Sequence, residues 1–277
     1  PHFCTLIVFF TACDGQNVTE QNLPKNSPSA IEVSSSTNVV DQQKAKFLVT
    51  KAKAKKGDAR AQTKTADNYA VGRGAEVDFQ EARKWYRTAA AQNEHQAQYN
   101  LGYMYYNGEA LPRDYTKAVE WFTKSAEQGN AGAQCNLGLM YDNGEGVPQD
   151  NAAAIKWYRK AAVQSEPMAQ FNMGWMYDNG EGIPEDDTKA LEWYLKSAQG
   201  GHIESPNYIG ILYDNGDGTP EDDIAAYAWW LIGVKRGDEA PRNNMAFLAE
   251  KLSPEQLAKA KELSAKLEGK MAAKKKP

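Results

Sequence analysis

Three kinds of residue in this chain could do chemistry. The first is the acidic, glycine-rich run Asp142-Asn143-Gly144-Glu145-Gly146, echoed at Asp214-Asn215-Gly216-Asp217-Gly218. Carboxylates this close could hold calcium, but an EF-hand loop needs acidic groups at positions 1, 3 and 5 and glycine at 6. Here glycine falls at 3 and 5, so a helix-to-helix turn is expected and no metal. The second is Cys135, a candidate nucleophile. His2, His95 and His202 all lie far from it in sequence, so no Cys–His pair is expected and Cys135 reads as a small apolar residue. With only Cys4 and Cys13 besides it, no disulfide framework is expected. The third is a large set of Trp and Tyr, whose rings could stack on a sugar or anchor a peptide. No Gly-x-Ser-x-Gly, phosphate-binding loop or dinucleotide fingerprint appears. The expectation is a non-enzyme with no catalytic residue, no cofactor and no metal.

The elements that must position these residues follow from one period. Trp85, Trp121, Trp157, Trp193 and Trp229 lie 36 residues apart without a slip. Tyr69, Tyr105, Tyr141, Tyr177 and Tyr213 keep the same period, as do Gly72 to Gly216 and Asp78 to Asp222. Residues 61–240 are thus five units: 61–96, 97–132, 133–168, 169–204 and 205–240. In the second unit Ala97, Leu101 and Tyr105 form one helical stripe, and Gly108 closes that helix in a left-handed conformation. Asp114 is placed to cap a second helix, whose inner face is Ala118, Trp121, Phe122 and Ser125. Acidic pairs such as Asp186-Asp187 suit the start of such a helix. One hairpin cannot hide its large rings alone, so units must stack. The recurring Trp, with Tyr86, Phe122, Tyr158 and Tyr194 beside them, are expected in that core. The fold expected is all-α, an α/α solenoid of five helix-turn-helix repeats.

The segment AQCNLGLMYDNGEGVPQD at 133–150, followed by AAAIKWYRKAA at 152–162, resembles the Sel-one-like repeat, a relative of the tetratricopeptide repeat. The resemblance covers at least 61–240 and implies a right-handed superhelix. Repeat one departs from it at Thr65-Ala66, repeat two at Ala110, and repeat five at Trp230 and Val234. Residues 42–60 are expected to form a polar N-capping helix and 241–269 the C-capping helices, with Ser253-Pro254-Glu255-Gln256 opening the last one and Leu257, Ala260, Leu263 and Leu267 as its buried face. A frayed basic tail, 270–277, is expected to follow.

Positions that differ between copies yet stay large are the better functional candidates. Unit positions three and seven read Tyr99/Tyr103, Cys135/Leu139, Phe171/Trp175 and Asn207/Ile211. Each pair is four residues apart and shares a helix face. Beside them run Asn100, Asn136 and Asn172, with Tyr208 in the fourth place. In the tetratricopeptide relatives first helices line a concave groove that binds peptides. The resemblance therefore implies a protein-binding groove built from Tyr99, Asn100, Tyr103, Asn136, Leu139, Phe171, Asn172, Trp175, Tyr208 and Ile211. Asn side chains there could bond a peptide backbone. The bland alternative is that these residues complete packing between repeats. The same aromatic face could instead take a glycan or peptidoglycan fragment.

The ends suggest location. Phe3–Ala12 is apolar and uncharged, too short to span a bilayer but suited to a signal sequence. It runs into Thr11-Ala12-Cys13, which resembles a bacterial lipobox, so 1–13 is expected as a signal with Cys13 lipidated, and 14–41, rich in Asn, Ser, Thr and Gln, as a flexible tether. A periplasm-facing envelope lipoprotein is the expectation, a secreted protein the alternative. Membrane contact is expected only through that lipid. Residues 61–240 hold 15 Lys and Arg against 27 Asp and Glu, a balance of -12, which repels polyphosphate and argues against nucleic acid. The expected partner is another protein or peptide, bound by a monomer.

Overall fold

A computed structural model describes residues 30–274, with side chains from 39 to 273. Every regular element among the described residues is an α-helix. Five hairpins make the body: α2 (Ala59–Val71) with α3 (Phe79–Ala90), α4 (His95–Asn107) with α5 (Tyr115–Glu127), α6 (Ala131–Asn143) with α7 (Asn151–Ala162), α8 (Pro167–Asn179) with α9 (Asp187–Gly200), and α10 (Ser205–Asn215) with α11 (Asp223–Lys235). Before them stands α1 (Ala30–Lys55), and after them α12 (Arg242–Lys251) and α13 (Pro254–Lys274). Each helix packs on the next along the chain. This is the expected solenoid of five repeats with terminal caps.

The turns form as the sequence requires. Gly72, Gly108, Gly144, Gly180 and Gly216 all take left-handed backbone and return their N–H to the helix they close. Asp78, Asp114, Asp150, Asp186 and Asp222 each accept a backbone N–H from the first turn of the following helix.

The core corrects one expectation. Of the two neighbouring aromatics on each second helix, the fully buried one is the latter: Tyr86, Phe122, Tyr158, Tyr194 and Trp230. Trp85, Trp121, Trp157 and Trp193 are half-buried. Consecutive helical residues point about 100° apart, so only one ring can enter its own hairpin. The Trp goes to the seam instead: Trp121, Trp157 and Trp193 each pack on the cluster of the preceding repeat. Lysines three residues on cover their outer faces, with ammonium groups 4.4, 4.0 and 4.1 Å from the ring centres for Lys124, Lys160 and Lys196. Trp229 is buried because Leu267 and Met271 of α13 join its cluster. The core is a chain of clusters, with Tyr141, Tyr177 and Tyr213 each shared by two of them.

In repeats two to five a glycine opposite the buried ring permits this packing, and Ala66 holds that place in repeat one. A Cβ on Gly102, Gly138 or Gly174 would lie 2.6 Å from the ring of Phe122, Tyr158 or Tyr194. A buried amide ladder, not foreseen, ties the repeats along the other side. Gln134 donates to the Ala126 carbonyl and accepts from Gln164, and Gln62 does the same between Ala54 and Gln92.

The ends differ from expectation. Residues 1–29, including Cys13, the signal-like segment and most of the expected tether, lie outside the described residues. Ala30–Asp41, also assigned to the tether, is helical and continuous with α1. The stretch holds no Gly or Pro, so a helix anchored by Phe47 and Ala54 propagates backwards through it at one bond per residue. Lys46 and Thr50 stand in α1 where Ala118 and Phe122 stand in α5, and this polar face ends the stack. At the far end the capping box forms: Gln256 N–H donates to Ser253 Oγ at 3.2 Å, and Ser253 N–H to Gln256 Oε1 at 2.9 Å. However, α13 runs on to Lys274, through much of the expected tail. Met271 continues the stripe of Leu257, Ala260, Ser264 and Leu267 and is buried.

Candidate protein-binding face

The first helices α4, α6, α8 and α10 place the ten predicted residues on one side of the array. Three are core residues rather than projecting anchors. Tyr103, Leu139 and Phe171 are 7%, 8% and 6% exposed. Tyr103 packs with Phe122 and Leu137, and Leu139 with Ile155 and Tyr158. Two of the amides are spent inside the protein. Asn100 donates to Asp67 Oδ1 at 3.0 Å and accepts from Gln96 Nε2 at 3.0 Å. Asn136 bonds the hydroxyl of Tyr99, whose ring is tilted on Phe122 with centroids 5.9 Å apart. Burial pushes the Tyr99 phenol up to about 12.

The remaining four gather on repeats four and five. Trp175, Asn172, Tyr208 and Ile211 are half-buried, and Phe171 lies beneath them. Tyr208 meets Trp175 edge-on at 5.7 Å and Phe171 at 5.1 Å. Ile211 packs towards Trp230 and Leu248. Sequence reasoning missed two members of this cluster. Tyr194 lies 5.4 Å from Phe171 and 5.3 Å from Tyr208. His202 stacks on Phe171 at 4.5 Å, and burial pushes its imidazole down to about 4, so it is neutral at physiological pH. A signal for His202 existed: its register holds Asp58, Glu94 and Asn130, which cap first helices through their oxygens. An imidazole breaks that series.

Carboxylates border this face. Asp142 and Asp178, at the ends of α6 and α8, accept hydroxyl hydrogens from Tyr158 and Tyr194 at 3.2 and 3.1 Å. Burial pushes Asp142 up to about 6, and Glu181 adds to it. Asp178 is raised by burial and then by Asp187, Asp217 and Glu185. Asp214 is raised by burial and by Asp223. No group of three or more His, Cys, Asp or Glu among the described residues is arranged to hold a metal ion. Cys135 is a buried thiol. No described helix is long and apolar enough to cross a membrane. A shallow surface depression on α3 is lined by the exposed Lys84, Arg87 and Thr88.

Comparison with known proteins gives a consistent answer. The family model of the Sel1 repeat matches residues 59–94, 95–130, 131–164, 167–202 and 207–238. The first four of these units start two residues before the sequence-derived ones, at the first residues of α2, α4, α6 and α8, and the fifth starts two residues after. No curated protein matches the chain. Among solved structures it is similar to a protective antigen of uropathogenic Escherichia coli with an SLR fold, at 38% identity and a TM-score of 0.69 over 73% of this chain. It spans only 43% of that protein. It is also similar to a Sel1 repeat protein from Oxalobacter formigenes, at 28% identity and a TM-score of 0.67, covering 74% of this chain and 85% of that one. A Sel1 repeat protein from Klebsiella pneumoniae aligns at 25% identity and a TM-score of 0.50, over 73% of this chain and 99% of that one. The repeat match spans more than half of the residues and the folds agree, so the chain belongs to the Sel1 repeat family, whose stacked hairpins serve as scaffolds for protein interactions.

Proposed function

We propose that this protein is a non-catalytic adaptor or regulator of a bacterial cell envelope that binds a protein or peptide partner on its first-helix face. The observation that carries this reading is the half-buried aromatic cluster of Trp175 and Tyr208, flanked by Asn172 and Ile211, in the two repeats where unit positions three, four and seven depart most from one another. Large rings that share a face and keep part of their surface in water are what anchors of interfaces usually are. The working face narrows from the ten residues expected to Asn172, Trp175, Tyr208 and Ile211, because the others are taken by packing and internal hydrogen bonds. Support for the envelope is the apolar run Phe3–Ala12 ending at Cys13.

Two experiments test this. Partner recovery from envelope extracts is compared between wild type, Trp175→Ala with Ile211→Ala, and Trp193→Ala on the opposite side, all with equal helical circular dichroism. Loss confined to the first pair supports the face, and equal recovery from all three rejects it. Saturable binding of muropeptides without a protein partner would replace the peptide reading with the glycan one. Mass spectrometry of the native protein decides the anchor: a lipid mass on Cys13 supports it, and an unmodified Cys13 in the native protein rejects it.

A further inference from the structure

We propose that the occupant of this face is an extended cationic segment of a partner protein, with its lysines or arginines along the turns of repeats three to five and an apolar side chain against Trp175. This rests on the interaction reading above and names the chemistry of the partner.

The charge layout is one-sided. Helices α6, α8 and α10 contain no Lys or Arg. The segments that close them, 142–150, 178–187 and 214–223, hold 13 Asp and Glu and again no Lys or Arg. These carboxylates reach across repeats: Asp142 feels Glu181, and Asp178 feels Asp217. The internal cations do little to balance them. Lys160 and Lys196 lie over Trp157 and Trp193 at the outer seam. Lys189 pairs with Asp186, and Lys251 alone acts on Asp214.

Trp175 precedes Asp178 by three residues on α8, so ring and carboxylate share a side. An indole bordered by carboxylates suits an ammonium or guanidinium attached to an apolar stem, through cation–π attraction and ion pairing together. The neutral amide of Asn172 beside it can serve a peptide backbone. A polyanion would be repelled along this edge, and a bare metal ion finds no ligand set among the described residues.

The probes are three labelled nonapeptides that alternate leucine with lysine, glutamine or glutamate, titrated into the full chain at low and high salt. The lysine peptide is expected to bind about tenfold tighter than the glutamine peptide at about 50 mM salt, with the advantage largely lost at about 500 mM. Glu181→Gln with Glu185→Gln and Glu221→Gln should abolish that advantage. Glu120→Gln with Glu192→Gln, which removes charge from second helices, should leave it intact. Trp175→Ala should weaken the lysine and glutamine peptides alike. Equal binding of the two peptides, or an equal loss in both charge variants, overturns the cationic partner. The face itself then still stands if Trp175→Ala weakens binding. Failure of all three peptides on a folded protein rejects both.

Discussion

Gly138→Ala tests the close approach of helix and ring in the hairpins of repeats two to five. The new Cβ would lie 2.6 and 2.7 Å from Cδ1 and Cε1 of Tyr158. An ordinary carbon contact is about 3.5 Å, so roughly 1 Å must be found. Tyr158 is fully buried and its hydroxyl is tied to Asp142, so the ring has nowhere to swing. Overpacking of this kind costs up to about 3 kcal/mol. Replacing Gly by Ala inside a helix returns about 1 kcal/mol of propensity. The net is a loss of about 2 kcal/mol, or roughly 30-fold in the unfolding constant. For a chain of this length that lowers Tm by about 4–8 °C. The control is Gly233→Ala in α11, whose Cβ would first meet Pro241 at 3.4 Å. It has the propensity gain without the collision and should be neutral or stabilising by up to about 1 kcal/mol. Urea and thermal unfolding followed by helical circular dichroism decide the matter. If Gly138→Ala is as stable as wild type, or Gly233→Ala falls as far, ring-on-glycine packing is not what sets the hairpin spacing.

Ser165 sits at φ +66°, in the register where Gly129 and Gly201 stand. Ser165→Gly removes left-handed strain and should stabilise by about 1 kcal/mol in the same unfolding assay, with a lower Tm as the refuting result. Phe122→Ala should cost about 3–5 kcal/mol. Trp121→Ala should cost clearly less, because a half-buried ring withdraws less apolar surface from water. Equal costs would contradict the placement of the Trp row at the seam. Acidification pulls two buried groups in opposite directions. The folded Asp142 carboxyl, at about 6 against 3.8, holds its proton more tightly than the unfolded one, so its contribution is whole below 3.8 and is lost as pH rises through about 6. His202, at about 4 against 6.5, is kept neutral, so its contribution is whole above 6.5 and is lost as pH falls towards 4. Asp142→Asn should therefore steepen the fall of Tm between pH 7 and 5, and His202→Asn should flatten it. Unchanged slopes would show that neither group is buried as described.

The repeat was legible because architecture imposes the same demand five times. Closing a first helix needs a left-handed residue, and glycine answers at Gly72, Gly108, Gly144, Gly180 and Gly216. Opening a second helix needs an acceptor, and Asp answers each time. What recurrence does not carry is direction. It marks Trp157 and Tyr158 as equally required, yet one fills its own hairpin and the other the joint before it. The helix ends were illegible for a related reason. Composition alone cannot say whether a Ser-rich stretch such as Ser34–Thr37 is tether or a helix grown back from a packed stretch. Nor can it say that Met271 has a slot waiting near Trp229.

The candidate face was legible only in part because variation has two sources. A position changes between copies when a partner selects it, and also when its neighbour in the next repeat changes. Tyr99 and Asn136 illustrate the second. Phe122 has no hydroxyl to bond the amide of the following repeat, whereas Tyr86 engages Asn100 in addition to Asp67. The hydroxyl that Asn136 meets comes from Tyr99 instead. Such exchanges conserve the internal hydrogen bonds while scrambling the residue types. Trp175 is the clearer functional candidate because packing does not bury it: Phe171 and Tyr194 already fill the space beneath, and its ring is left half in water beside Tyr208. A large apolar surface kept at the boundary with solvent costs free energy in isolation. Covering it is the gain a partner would bring, and the acidic turns beside it set the sign of the charge that partner should carry.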